Sequence, residues 1–161
     1  MDDQDKASKF DRLVEELQRR IIEQERAIYS AKVLAEAHNP TNMGRMDRAD
    51  AYGIVHGSCG DTMEFYLRLN GGTIEAVSFI TDGCGSSVAC GNMLSRMVEG
   101  ASLEEACSVR PEDVIVALDG LPEENVHCAE LAVMTLREAM ANQCGEASPR
   151  SPSHSKDEAQ A

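Results

Sequence analysis

The sequence predicts an α+β fold: a small antiparallel sheet of about three strands packed against C-terminal helices, with an extra amphipathic helix at the N-terminus. Three observations predict it. Strand-like alternation is confined to the stretch from Tyr52 to Thr81, helical periodicity fills the stretch from Ser86 to Asn142, and the two do not interleave as they would around a parallel sheet. A chain of 161 residues is a single-domain length.

Taken in order, Phe10, Val14, Leu17, Ile21, Ile28, Ala31 and Ala35 recur in alternating three- and four-residue steps, missing only Gln24, and predict one long amphipathic helix ended by Asn39-Pro40. Its stripe has two readings, a helix lying on its own domain or a docking and self-association helix that makes the protein a homo-oligomer. Tyr52 to Gly57 and Met63 to Asn70 are strands, Gly71-Gly72 is a hairpin turn, and Thr73 to Thr81 is the return strand. Helices follow at Ser86 to Glu99, near Leu103 to Cys107, at Pro111 to Leu118, and from Glu123 or His127 to Asn142. From Gly145 the chain turns to Ser, Pro and charge without large apolar residues, which predicts a disordered tail. The expected division is 1–28 as a helical extension, 29–144 as the body and 145–161 as the tail.

Charge excludes several functions. The formal net charge is −13, and residues 51–144 hold 14 acidic groups against four arginines and no lysine. Nucleic-acid affinity rests on Lys and Arg neutralising phosphates, so no nucleic-acid partner is expected. A phosphate loop or a Schiff-base lysine is excluded from this region as well. No run approaches the length of a membrane span, so no membrane partner is expected. The acidic start Met1-Asp2-Asp3-Gln4-Asp5 lacks the features of a secretory signal and predicts a cytoplasmic protein, where disulfides are rare.

The six cysteines then need another explanation. Cys59 in Gly57-Ser58-Cys59-Gly60-Asp61 and Cys84 in Asp82-Gly83-Cys84-Gly85 are flanked by glycines, which leave room for a metal or sulfide to approach the backbone. Cys128 follows His127 at the start of the last helix, a position that favours the thiolate. There is no Cys-x-x-Cys pair, so a shared site has to be assembled by the fold, and unrelated buried thiols are the alternative. Cys90 shares a helix face with Met93, Leu94 and Met97 and reads as core; Cys107 and Cys144 have no supporting ligands nearby.

Six segments recur in a known order: Tyr29-Ser30-x-x-Val33, Asn39-Pro40-Thr41-Asn42-Met43-Gly44, Cys59-Gly60-Asp61, Gly83-Cys84-Gly85-Ser86, Pro111-Glu112-Asp113, and Leu121-Pro122 through His127-Cys128. On these the chain resembles the U-type iron–sulfur cluster assembly scaffolds, IscU and the N-terminal domain of NifU, from about Tyr29 to Asn142. The resemblance implies the SufE/NifU-like fold. It further implies that Cys59, Cys84, Cys128 and Asp61 bind metal, with His127 a ligand or a support behind one, and that Cys128 or Cys84 accepts sulfur as a persulfide. A cysteine desulfurase and apo iron–sulfur proteins are the implied partners, an iron–sulfur cluster, 2Fe–2S first, the implied cofactor, and the protein is a scaffold without turnover of its own. Soft thiolates suit iron and sulfide, whereas the harder carboxylate holds a cluster iron less firmly, as a scaffold that releases its product requires.

Two departures stand out. Where the family's chaperone-recognition loop reads Leu-Pro-Pro-Val-Lys, Leu121-Pro122 is followed here by Glu123, Glu124 and Asn125, which argues against a dedicated Hsp70-type chaperone. Residues 1–28 have no family counterpart. The alternative reading is a SufU-like sulfurtransferase holding zinc on the same ligand types, but those relatives carry a long insertion between the second and third cysteines, and none is evident between Cys84 and Cys128.

Overall fold

The structure, a computed structural model, describes residues 3–144; the predicted tail from 145 lies outside the described residues. Six helices and three strands follow in the order α1 (Asp3–Ile28), α2 (Ala31–His38), β1 (Ala51–His56), β2 (Thr62–Asn70), β3 (Thr73–Thr81), α3 (Gly85–Val98), α4 (Leu103–Ser108), α5 (Pro111–Ala117) and α6 (Val126–Ala141), with a 3-10 turn at Glu123–Asn125 leading into α6. The sheet is antiparallel in the order β1-β2-β3. Gly71 and Gly72 close the β2–β3 hairpin with φ of 58° and 83°, the left-handed pair that a two-residue turn needs.

One face of the sheet carries the core. Cross-strand rows run Ala51–Leu67–Val77, Gly53–Phe65–Phe79 and Val55–Met63–Thr81, and Met63, Phe65, Leu67 and Phe79 are fully buried beneath α3 and α6. The middle row seats both helices. At Gly53 a Cβ would lie 2.3 Å from the Ala139 backbone nitrogen, so the missing side chain lets α6 lie directly on β1. At Gly91 of α3 a Cβ would meet the Phe79 ring at 2.6 Å. These two close approaches seat α3 and α6 on the sheet, and Cys84 and Cys128 lie at the starts of the two helices.

Asn42 to Gly44 runs along the outer edge of β3: the Gly44 N–H donates to the Phe79 carbonyl at 2.8 Å, and the Phe79 N–H donates to the Asn42 carbonyl at 3.1 Å. The Asn42 amide side chain also donates to the Val77 carbonyl. Helix α2 is bolted to α3 by Glu36, whose buried carboxylate takes bonds from Asn92 and Arg96. Such a carboxylate is tolerated inside because both of its partners are present.

The single long N-terminal helix is corrected. Its periodicity continues through Ala35, but the chain breaks at Tyr29-Ser30, where Ser30 is extended (φ −63°, ψ 158°) and caps α2 by accepting from the Val33 N–H at 3.1 Å. The Ser30 hydroxyl also donates to the Leu118 carbonyl, tying the break to the body. An N-cap serine anchored in this way outweighs a continuous apolar stripe. No helix among the described residues is long and apolar enough to cross a membrane.

Candidate metal centre

The loop between β1 and β2 is closed on itself. The Gly57 N–H donates to the Asp61 carbonyl at 2.7 Å and the Gly60 N–H to the Gly57 carbonyl at 3.1 Å, with Gly60 at φ 91° allowing the reversal. This turn lifts Cys59 into solvent and leaves Asp61 at the foot of β2. The next loop is tied to it: the Asp82 carboxylate accepts from the Thr62 N–H at 2.7 Å, and the Thr81 hydroxyl donates to the Thr62 carbonyl at 2.8 Å. Cys84 comes two residues after Asp82 as the exposed N-cap of α3. Cys128 occupies the first turn of α6 and is buried, with His127 half-buried beside it.

Ser87 links these groups. Its hydroxyl lies 3.4 Å from Asp61 Oδ2 and 3.4 Å from Cys128 Sγ, so its one proton serves either, and it also bonds toward Cys84. The room for this comes from Gly83, where a Cβ would sit 2.5 Å from Ser87 Oγ and 2.8 Å from Asp61 Oδ2. The Cys128 sulfur lies 3.7 Å from His127 Nε2. The fold thus gathers Asp61, Cys84 and Cys128 around Ser87, with His127 against the Cys128 sulfur, and sets Cys59 within electrostatic reach of Cys128. Among the described residues no three His, Cys, Asp or Glu side chains are already converged tightly enough to hold a metal ion.

The two inner thiols differ sharply. Partial burial opposes the Cys84 thiolate, but the amide groups of Ser87 and Ser86, the Ser87 hydroxyl and the Cys128 thiol together outweigh it and bring Cys84 below the ordinary thiol range. Cys84 is the N-cap of α3, so the amides that draw its thiolate are those of the first helical turn. For Cys128, burial is the largest effect, and with the nearby Cys84 charge it pushes the thiol up to about 11 despite the Ser87 hydroxyl. Cys128 therefore donates and Cys84 accepts. Iodoacetamide at about pH 8 is expected to label Cys84 at least about tenfold faster than Cys128, with the Cys128 rate climbing as pH rises toward its own titration. Peptide mass mapping checks the order, and equal rates would contradict it.

Cys90 lies wholly buried within α3, its thiol pushed up by burial and by the charges of Cys128 and Cys84. Cys107 is exposed on α4, away from these groups, and the Cys144 side chain lies outside the described residues. Sequence reasoning missed Ser87 and the space at Gly83. The available signal was the position of Ser87 three residues after an N-cap cysteine, where capping partners sit.

Comparison with known proteins decides the family. The family described as the NifU-like N terminal domain matches residues 28–147. The chain belongs to this family. Iron-sulfur cluster assembly scaffold protein IscU 1 of Archaeoglobus fulgidus is 37% identical over 116 residues, covering 71% of this chain and 76% of that one. Iron-sulfur cluster assembly scaffold protein IscU of Escherichia coli K12 is 36% identical over 119 residues, covering 71% and 92%. A crystal structure of a nitrogen-fixing NifU-like protein (N-terminal) from Brucella abortus superposes with a TM-score of 0.59 at 21% identity, covering 74% of this chain and 96% of its own, which establishes the shared fold. The matched region of this NifU-like chain begins at the last residue of α1, so nearly all of that helix precedes the family body.

Proposed function

We propose that this NifU-like protein is a scaffold on which an iron–sulfur cluster is built and from which it is handed on. The observation that carries the reading is that Asp61, Cys84 and Cys128 come together around Ser87 at one end of the fold, with Cys59 within electrostatic reach of Cys128. Residues 29–144 form the scaffold domain and 1–28 an extension of it. Cys59, Cys84 and Cys128 are the thiolate ligands, Asp61 is the exchangeable fourth, and His127 supports Cys128 or takes its place beside the iron. Because these groups are not converged beforehand, iron or the growing cluster draws the Cys59 loop and the start of α6 together.

Sulfur enters through the Cys84–Cys128 pair. A thiolate of the pair attacks the terminal sulfur of a desulfurase persulfide, a new S–S bond forms on the scaffold, and the desulfurase thiolate leaves. Reduction of each transferred sulfur to sulfide takes two electrons from an external donor. The cluster, 2Fe–2S in its first form, is cargo that passes to an apo-protein. Glu123 and Glu124 lie exposed on the turn before α6, where an acidic surface suits no dedicated Hsp70-type partner of the family's kind.

Anaerobic purification with metal analysis, followed by reconstitution with ferrous iron, cysteine and a desulfurase, tests this. Visible sulfide-to-iron bands and transfer to an apo-ferredoxin are expected. Tightly held zinc with no visible spectrum would overturn the scaffold in favour of a zinc-dependent sulfurtransferase.

A further inference from the structure

Helix α1 leaves its apolar stripe uncovered. Phe10 (66% exposed), Leu17 (49%), Ile21 (54%) and Ile28 (58%) face solvent along it. The helix does touch its own body, but chiefly with another face: Ile22 and Arg26, with Tyr29 just past the helix and Glu25 at the border between the two faces, line the groove against α2. At 100° per residue that face lies roughly 110° around the helix from the stripe. Among the described residues the stripe is therefore left uncovered.

Its composition says what. Assigned to heptads, Val14, Ile21 and Ile28 take position a, and Phe10 and Leu17 take position d, with Gln24 the one polar residue in the seam. β-branched residues at a with leucine at d favour two parallel strands, and Val14, Ile21 and Ile28 at a with Leu17 at d follow that pattern. The flanks agree. Arg20 falls at g and Glu25 at the following e, so a parallel pair places Arg20 of each copy against Glu25 of the other, twice by symmetry. An antiparallel pair overlapping the same stripe would instead oppose Asp11 and Glu25, both at e. Among the described residues Arg20 pairs with Glu16 across an exposed turn, a contact that solvent screens, and Glu25 lies 3.5 Å from His38 Nε2 at the edge of the groove.

We propose that α1 is the strand of a parallel two-stranded coiled coil with a second copy of this chain, in the register that pairs Arg20 with Glu25. The two bodies then leave the coil at the same end, both following Ile28, which sets two cluster-building sites in one particle.

Sedimentation of the full chain under reducing conditions tests the proposal. A particle of twice the 17.5 kDa chain mass is expected. Ile21→Asp should halve the mass while the thermal transition of the body is kept, since the Ile21 side chain is 54% exposed and lies outside the core. Arg20→Glu and Glu25→Arg, each alone, should weaken association at least about tenfold by setting like charges against each other, and mixing the two variants should restore it as a heterodimer with both pairs complementary. A wild-type monomer at about 100 μM, above the range of a stable specific dimer, would overturn the proposal. So would a dimer that survives Ile21→Asp, and so would a mixture no tighter than its parts, the outcome for an antiparallel pair or a different partner.

Discussion

Cys59→Ala, Cys84→Ala and Cys128→Ala each abolish the cluster formed on reconstitution, whereas Cys90→Ala and Cys107→Ala retain it. A thiolate that ligates iron has no substitute in alanine, so bound iron and sulfide should fall at least about tenfold in each of the first three. The sharp comparison is with Cys90. It lies in the same helix as Cys84 and close enough to feel the charges of both Cys84 and Cys128, yet it is wholly buried in the core. Its replacement removes a small buried group, at a cost of about 1 kcal/mol of stability, and no ligand. Iron and sulfide counts per chain, taken beside a thermal melt, separate ligand loss from unfolding. A Cys90→Ala protein with an intact melt and no cluster would require a different ligand set.

Asp61→Ala is expected to leave a cluster that forms but is passed on several-fold more slowly and survives oxygen longer. A carboxylate is the weakest iron ligand in the set and the natural point at which an acceptor thiolate displaces the scaffold. The competing role, an aspartate that only caps its loop, is already filled by others: Gly57, Gly60 and Thr62 donate to the Asp61 carbonyl, the Gly57 carbonyl and the Asp82 carboxylate. That leaves the Asp61 side chain turned toward Ser87 and, through it, toward Cys128. Absorbance during transfer to an apo-ferredoxin, and during exposure to air, compares variant and wild type. A faster-decaying Asp61→Ala cluster would return the residue to a purely structural role.

The hairpin was legible because apolar and polar residues alternate over most of each strand, despite the irregularity between Arg68 and Leu69, and Gly71-Gly72 can only be a tight turn. The helices after it were legible within a residue or two, since Ser102 with Glu105 and Pro111 mark their starts. Other features were hidden for a common reason: they exist only between segments distant in the chain. Nothing local to Gly53 says that Ala139 will press on it, and nothing local to Ser87 says that Asp61 and Cys128 will meet there. The break at Ser30 shows the reverse failure. Its capping pattern was present in the sequence, but the apolar period ran through it, and only the bond to the Leu118 carbonyl decides between them. The cysteines fall between these cases, since glycine neighbours hint at accessible thiols while the burial of Cys128 follows from how α6 is seated.

The run from Asn42 to Gly44 along β3 bears on how such a protein behaves when crowded. A three-stranded sheet has two edges, and each is a template on which a foreign strand can add and seed aggregation. Here one edge is shielded where that run bonds Phe79, and the other, β1, is six residues long with its Tyr52 carbonyl taken by the Asn142 side chain. Fibril-like growth therefore finds little backbone to copy at either side. Encounters with partners are left to side-chain surfaces, so a chain that must keep reactive thiols open to its visitors does so without leaving its sheet open to itself.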